Sequence, residues 1–188
     1  MKKYELVLMV NPSLKEDDRE SLLKDITWVF GKNILDTDVI GLQELVYDLS
    51  DKKWNNRAYF VSYHIQADAE MLAKIKKDLL YNKDVLRYFV LAMSDTQPFH
   101  HFEKLHKELG KVIESWEDTK FWQKLTFFAD DRNVWYISRK SLPMLQKYVT
   151  RFGNIKPRKY TNNPVQIQKK LRSVILRARE MGLIHYTR

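Results

Sequence analysis

KYELVLMVNPSLKEDDRESLLKDITWVFGKN, residues 3–33, decides the fold. Tyr4, Leu6, Leu8 and Val10 alternate with Glu5, Val7 and Met9, which is the period of a strand with two distinct faces. Asn11-Pro12-Ser13 ends that strand and turns the chain into a helix start. Leu22, Leu23, Ile26, Val29 and Phe30 then share one helical face, and Gly31 with Asn33 supplies the stop. A strand followed at once by an amphipathic helix needs further strands to complete a sheet, and the next residues provide them. A second strand is expected from about Asp38 to Leu49, a turn from Asp51 to Asn56, and a third strand in RAYFVSYHI, residues 57–65, so that the two form a hairpin. Asp68 is placed to cap a second helix with Met71, Leu72, Ile75 and Leu79 inward, and Val85 to Met93 is dense enough in β-formers to be the last strand. The order is βαββαβ. This is the split βαβ, ferredoxin-like arrangement of the α+β class, with both helices on one sheet face and the other face expected to be free for docking.

Charge divides the chain. Residues 1–95 hold 14 Lys+Arg against 16 Asp+Glu, residues 96–120 hold 4 against 5, and residues 121–188 hold 15 against 3. A near-neutral front and a strongly basic back imply two modules, the second carrying a polyanion contact. The expected boundaries are 1–98 for the front domain, 99–120 for a connecting helix and 121–188 for a small, mostly α-helical basic domain. The connector is expected to be amphipathic, because Phe102, Leu105, Leu109, Val112, Ile113 and Trp116 fall on one helical face. With no cysteine, disulfides, thiolate zinc sites and cysteine nucleophiles are excluded. The start of the chain has too short an apolar run for a signal peptide or a spanning helix, so a cytoplasmic protein with no membrane partner is expected.

The basic segment is organised around one helix. Asn163 can cap it, Pro164 suits its first position, and Gly182 can take the left-handed closing conformation. Ile167, Leu171, Val174, Ile175, Ala178 and Met181 form a single stripe that must be buried. The remaining circumference carries Lys169, Lys170, Arg172, Arg177 and Arg179, with Arg158 and Lys159 in the preceding turn and only Glu180 opposing them. A merely solvated helix interleaves both signs, since Glu four residues before Lys adds support; like charges left together call for a partner such as phosphate. Upstream, Ser138 or Ser141 is expected to cap a short helix with Leu142, Leu145, Tyr148, Val149 and Phe152 inward, closed by Gly153. Phe121 to Ile137 reads as aromatic-rich and irregular. Ile155-Lys156-Pro157 must be extended, because a residue before proline is pushed out of the helical region. So small a core is expected to lean on a larger one.

Other chemistry finds no support. His100, His101 and His106 lack an acid or cysteine at ligand spacing, so no metal site and no cofactor is expected. There is no phosphate-cradling glycine loop and no His-Glu-x-x-His pair, and nothing organises the histidines and acids into a nuclease, so no catalytic residue is assigned and the chain is read as no enzyme. Tyr59, Phe60 and Tyr63 invite an RNA-recognition module, whose aromatic signature FVSY matches at its end, but Arg57, Ala58 and Tyr59 stand where glycine, an aromatic and a small residue are wanted. A DNA-binding regulator is the alternative, because two short helices joined through a turn can imitate a helix-turn-helix; Gly153 to Asn163 is long for that turn.

The front module resembles the sixth small-subunit ribosomal protein family of bacteria over about residues 2–99, through KYELVLMVNPSL, GLQELVYDL, RAYFVSY, LRYFVLAMSD and a following TQPF. The back module is similar to the eighteenth such family over roughly residues 124–187, through LPMLQKYVTRFGNIKPRKYT, QIQKKL and RAREMGLIHYT. Gly153, Ile155, Pro157, Thr161, Gln168, Arg177, Ala178, Arg179, Leu183 and Tyr186 match the second pattern. In bacterial ribosomes the two families bind each other on the platform of the small subunit, so the resemblance implies a fusion of both in one chain, with one association made intramolecular. It implies a structural, rRNA-binding constituent of the small subunit, located on the cytoplasmic ribosome beside neighbouring small-subunit ribosomal proteins. The residues expected to contact RNA are Lys156, Arg158, Lys159, Thr161, Asn162, Asn163, Gln168, Lys169, Lys170, Arg172, Arg177 and Arg179. Neither Arg177 nor Arg179 is expected to be needed in the core.

Overall fold

The computed structural model describes residues 2–47, 56–94, 98–120, 127–129 and 131–186. Contacts divide the chain into two compact units, residues 1–99 and 100–188.

In the first unit the elements run β1 (Lys2–Val10), α1 (Glu16–Phe30), a 3-10 turn (Gly31–Asn33), β2 (Ile34–Glu44), β3 (Arg57–Ala67), α2 (Ala69–Tyr81) and β4 (Val85–Ala92). The four strands pair antiparallel in the order β2-β3-β1-β4, as the split βαβ arrangement requires. Asn11 Oδ1 accepts the Ser13 N–H at 3.0 Å, which makes the turn out of β1, and Glu16, Asp17 and Asp18 then place negative charge at the positive end of α1. Leu6, Leu8 and Val10 of β1 and Val61, Tyr63 and Ile65 of β3 meet Leu22, Ile26 and Phe30 of α1 and Leu72, Ile75 and Leu79 of α2 in one core. The apolar residues that the alternation assigns inward are the ones buried.

One expectation needs correction here. The second strand starts at Ile34, not near Asp38, because the 3-10 turn leads straight into it, and it ends at Glu44. The expected turn over 51–55 lies outside the described residues. On the sheet face away from the helices, Val7, Met9, Phe60 and Ser62 are at most 2% exposed. Its polar groups answer one another, since Ser62 Oγ donates to Glu5 Oε1 at 2.6 Å, and the Phe99 ring stacks on His64 with centroids 5.2 Å apart. The aromatics considered for base stacking are otherwise engaged. Phe60 and Tyr63 are buried on opposite faces of the sheet, and the Arg19 guanidinium lies over Tyr59 at 4.2 Å.

The second unit begins with α3 (Phe102–Lys120), followed by 3-10 turns at Phe127–Ala129 and Asp131–Tyr136, then α4 (Leu142–Lys147), the single turn α5 (Arg158–Thr161) and α6 (Val165–Glu180). Helix α3 carries the apolar face that its pattern gives it, and that face belongs to the second unit. Leu105 and Leu109, at 2% and 0% exposure, share a core with Phe127, Phe128, Ile137, Met144 and Leu145 and with Leu171, Val174, Ile175 and Ala178 of α6. The side chain of Trp116 lies outside the described residues. The histidines of this region are taken up by backbone: His100 Nε2 is 3.1 Å from the Trp135 carbonyl oxygen and His106 Nε2 is 2.8 Å from that of Lys140. Among the described residues no group of three or more His, Asp or Glu could hold a metal ion.

Helix α4 is shorter than its apolar pattern. It stops at Lys147 because Val149 pairs with Ile155 in an antiparallel bridge, with Thr150 N–H donating to the Asn154 carbonyl at 2.8 Å and Gly153 at φ 84° between them. Phe152, expected inward, therefore sits on the turn and is 59% exposed.

Two outcomes are expected. Leu109→Ala should lower the stability of the second unit by about 2–5 kcal/mol, and a fragment of residues 121–188, which lacks α3, should show no cooperative melt while residues 100–188 do. A cooperative melt of the shorter fragment would remove α3 from the core's requirements. In the first unit, burial holds the His64 imidazole below its usual pKa, against the opposing charge of Glu5, with Lys3 reinforcing the shift and Asp36 resisting it. A histidine held neutral in the fold binds its proton more readily when unfolded, so this contribution is complete above about pH 6.5 and lost as the pH falls below that. Denaturant midpoints measured from pH 7 to pH 5 should fall less steeply for His64→Gln than for the parent chain.

Candidate nucleic-acid interface

The basic segment is positioned by the connection between α4 and α6. After the bridge, Lys156 N–H donates to the Tyr148 carbonyl at 2.8 Å and Pro157, extended at φ −70°, starts α5. Asn162 ends that turn in the left-handed conformation, φ 52°, which asparagine tolerates better than most residues. One side chain holds the connection together. Gln168, on the first turn of α6, donates from Nε2 to the Lys156 carbonyl at 2.9 Å, and its Oε1 accepts from Thr161 Oγ1 at 3.0 Å and from Asn163 Nδ2 at 3.4 Å. Arg158 adds an Nε–H bond of 3.0 Å to the Asn163 carbonyl. Burial raises the pKa of the Tyr148 hydroxyl, opposed by its hydrogen bond with Asn163.

Three of the residues expected to contact RNA have partners within the chain. Asn163 does not cap α6: Pro164 holds the N-cap position, and Asn163 is fully buried with its amide on Gln168. Gln168 spends both ends of its amide within the connection. Arg179 is 7% exposed, with Nε donating to the His185 carbonyl at 3.1 Å, Nη2 bonded to the Gly153 carbonyl and its guanidinium 5.5 Å from the Tyr186 ring centre. On a helical wheel Arg179 lies only ~20° from Arg172, which is exposed. What buries Arg179 is the chain after the helix. Gly182, at φ 72°, lets the Leu183 N–H reach back to the Ala178 carbonyl at 3.0 Å, the closing bond of a Schellman turn, and the tail returns along that flank with Ile184 in the core.

The other cations face outward. Lys169, Lys170, Arg172 and Arg177 are exposed on α6, Arg158, Lys159 and Asn162 are exposed on α5 and its end, and Lys156 and Thr161 are half-buried. Among the described residues no ion pair engages Lys169, Lys170, Arg172 or Arg177. Lys170 and Arg177, seven residues apart, stand in one row about two turns long, while Lys169 and Arg172 stand in a second row. The stripe of Leu171, Val174, Ile175 and Ala178 is buried between α6 and the rest of its unit, so both rows are fixed at opposite edges of one surface. The first unit has the opposite character: its groove between α1 and α2 is lined by Asp18, Asp25, Asp78 and Asp84, carboxylates that repel phosphate. The helix-turn-helix alternative loses its geometry, because α4 and α6 are separated by residues 148–164, with a bridge and a helical turn between them, not by a short turn.

Reading α6 alone could not reveal two large aromatics on the same connection, Phe152 and Tyr160, the latter 71% exposed. Their only signal in the sequence is a cation immediately before each, Arg151 and Lys159.

Arg177 and Arg179 should therefore part company. Arg179→Ala leaves two inward carbonyls without their donor and is expected to lower stability by about 2–4 kcal/mol, whereas Arg177→Ala should leave the melting temperature within about 1 °C of the parent. Thermal melts of the two variants side by side check this, and equal melting temperatures would contradict the clamp.

Comparison with known proteins bears on both units. The family model described as Ribosomal protein S6 matches residues 3–92, and that described as Ribosomal protein S18 matches residues 133–184. Small ribosomal subunit protein bS6 of Sulfurovum sp. (strain NBC37-1) is 27% identical over 105 residues, covering 54% of this chain and 80% of that protein. The bS6 protein of Fusobacterium nucleatum subsp. nucleatum is 29% identical over 94 residues, covering 48% of this chain and 97% of that protein. The crystal structure of 30S ribosomal protein S6 from Thermotoga maritima aligns with a TM-score of 0.45 and 16% identity, over 59% of this chain and 96% of that one. One polypeptide thus matches two family models in succession, ribosomal protein S6 over residues 3–92 and ribosomal protein S18 over residues 133–184.

Proposed function

We propose that this chain is a structural, non-catalytic constituent of the small ribosomal subunit in the cytoplasm, where it binds rRNA through the exposed cations of α5 and α6 and contacts other ribosomal proteins. The observation that carries the reading is the outward set Lys169, Lys170, Arg172 and Arg177, held on a rigid helix without acidic partners, in the S18-family part of a chain whose other part is of the S6 family. Four like charges on one helix surface repel each other, and a phosphate backbone removes that repulsion while releasing its own condensed counterions. The neighbours proposed for it are small-subunit proteins, as the names of its bS6 relatives suggest. Its place in the assembly is that of a wedge whose arginines and lysines grip separate backbone segments. The two modules enter the particle as one component, in equal number by construction.

Binding of the full chain to a small-subunit rRNA transcript should weaken steeply with salt, log K falling by ~0.7–0.9 per phosphate contact per decade. Arg172→Ala and Arg177→Ala should each weaken binding by about 1 kcal/mol and lower that slope by roughly one contact, with the melting temperature unchanged. A salt-independent affinity would refute the reading, and so would failure of the chain to sediment with small subunits.

A further inference from the structure

The geometry points to a base-stacking site beside the phosphate contacts: Phe152 and Tyr160 each take an unpaired RNA base on their exposed ring. The proposal rests on the rRNA-binding reading above and specifies which part of the RNA is held, nucleotides outside paired helices.

Single exposed apolar residues are ordinary, so exposure alone decides nothing. What distinguishes these two is where they are fixed and what stands beside them. Phe152 is 59% exposed on the turn that Gly153 N–H closes onto the Thr150 carbonyl at 3.0 Å and that the Val149–Ile155 bridge anchors. Tyr160 is 71% exposed on α5, its N–H donating to the Pro157 carbonyl at 3.0 Å, in the connection that Gln168 ties to α6. Both rings therefore stand on backbone that is already ordered, so little conformational entropy is left to lose on contact. Each ring also carries a cation: the Arg151 guanidinium lies 4.6 Å from the Phe152 ring centre and the Lys159 ammonium 5.0 Å from that of Tyr160. A ring with positive charge beside it suits a nucleotide, whose base stacks on the open face while its phosphate meets the cation. Lys156 and Arg158 lie between the two rings in the chain. Aromatic platforms interleaved with cations are the means by which proteins hold single-stranded RNA, whereas a paired helix offers them no free base face.

The test separates stacking from phosphate contact by salt dependence. Affinity of the full chain for a small-subunit rRNA transcript is measured from low to high salt for the parent, Phe152→Leu, Tyr160→Leu, Phe152→Trp and Tyr160→Trp, with a fully paired RNA duplex as second probe. The leucine variants should bind the transcript about tenfold more weakly at every salt concentration with an unchanged slope, the tryptophan variants should match the parent, and on the duplex all should be equal. Parent-like binding by both leucine variants, with a steep parent slope, overturns the stacking site and leaves the phosphate reading standing. A leucine loss that tryptophan does not restore, or that appears equally on the duplex, overturns it as well. A parent chain with no salt-dependent binding removes the reading beneath it.

Discussion

Arg179 ties together the turn after α4, the end of α6 and the tail that follows it. Its guanidinium bonds the Gly153 carbonyl on the turn after α4 and the His185 carbonyl on the tail after α6, and lies against the Tyr186 ring. A buried guanidinium is tolerable only when its donors are used, and here they are used on carbonyls that the turn and the tail would otherwise have to leave to water. The same residue so determines where the turn carrying Phe152 stands relative to α6. The outward surface of this unit depends on an inward arginine.

That dependence explains how so small a unit displays so much charge. Burying Leu171, Val174, Ile175 and Ala178 leaves α6 no choice of rotation, and the cations that the stripe excludes must face solvent together. The structure accepts the repulsion because the packing that fixes α6 is apolar and is not weakened by like charges on the far side. The first unit makes no comparable sacrifice. Its acidic groove between α1 and α2 repels a polyanion from that face.

Much of this was legible from residue pattern alone. The period-2 run of β1 and the 3.6-period faces of α1, α2, α3 and α6 depend on local alternation, and those elements lie where the alternation places them. Most of the misreadings share a physical cause, which is a contact made by a turn or a returning tail that neither helical nor strand periodicity describes. Arg179 is indistinguishable from Arg172 on a helical wheel, and only the returning tail buries it. Asn163 has the right chemistry for a cap, yet its amide goes to Gln168 and Pro164 takes the N-cap position. Phe152 looked like the last apolar residue of a helix, but the bridge from Val149 to Ile155 ends the helix first and turns the ring outward.

Helix α3 has a bearing on the history of the fused chain. It stands where the two family-matched segments meet, between residues 92 and 133, and yet Leu105 and Leu109 are inner members of the second core. A gene break within α3 after Leu105 would strip the second product of part of its own interior, and a break ahead of Leu105 would leave its buried residues whole. The join has become structure for one of the two parts it links. Once that happened, reversal by a random break turned into a narrow target, so the fusion is far easier to keep than to undo.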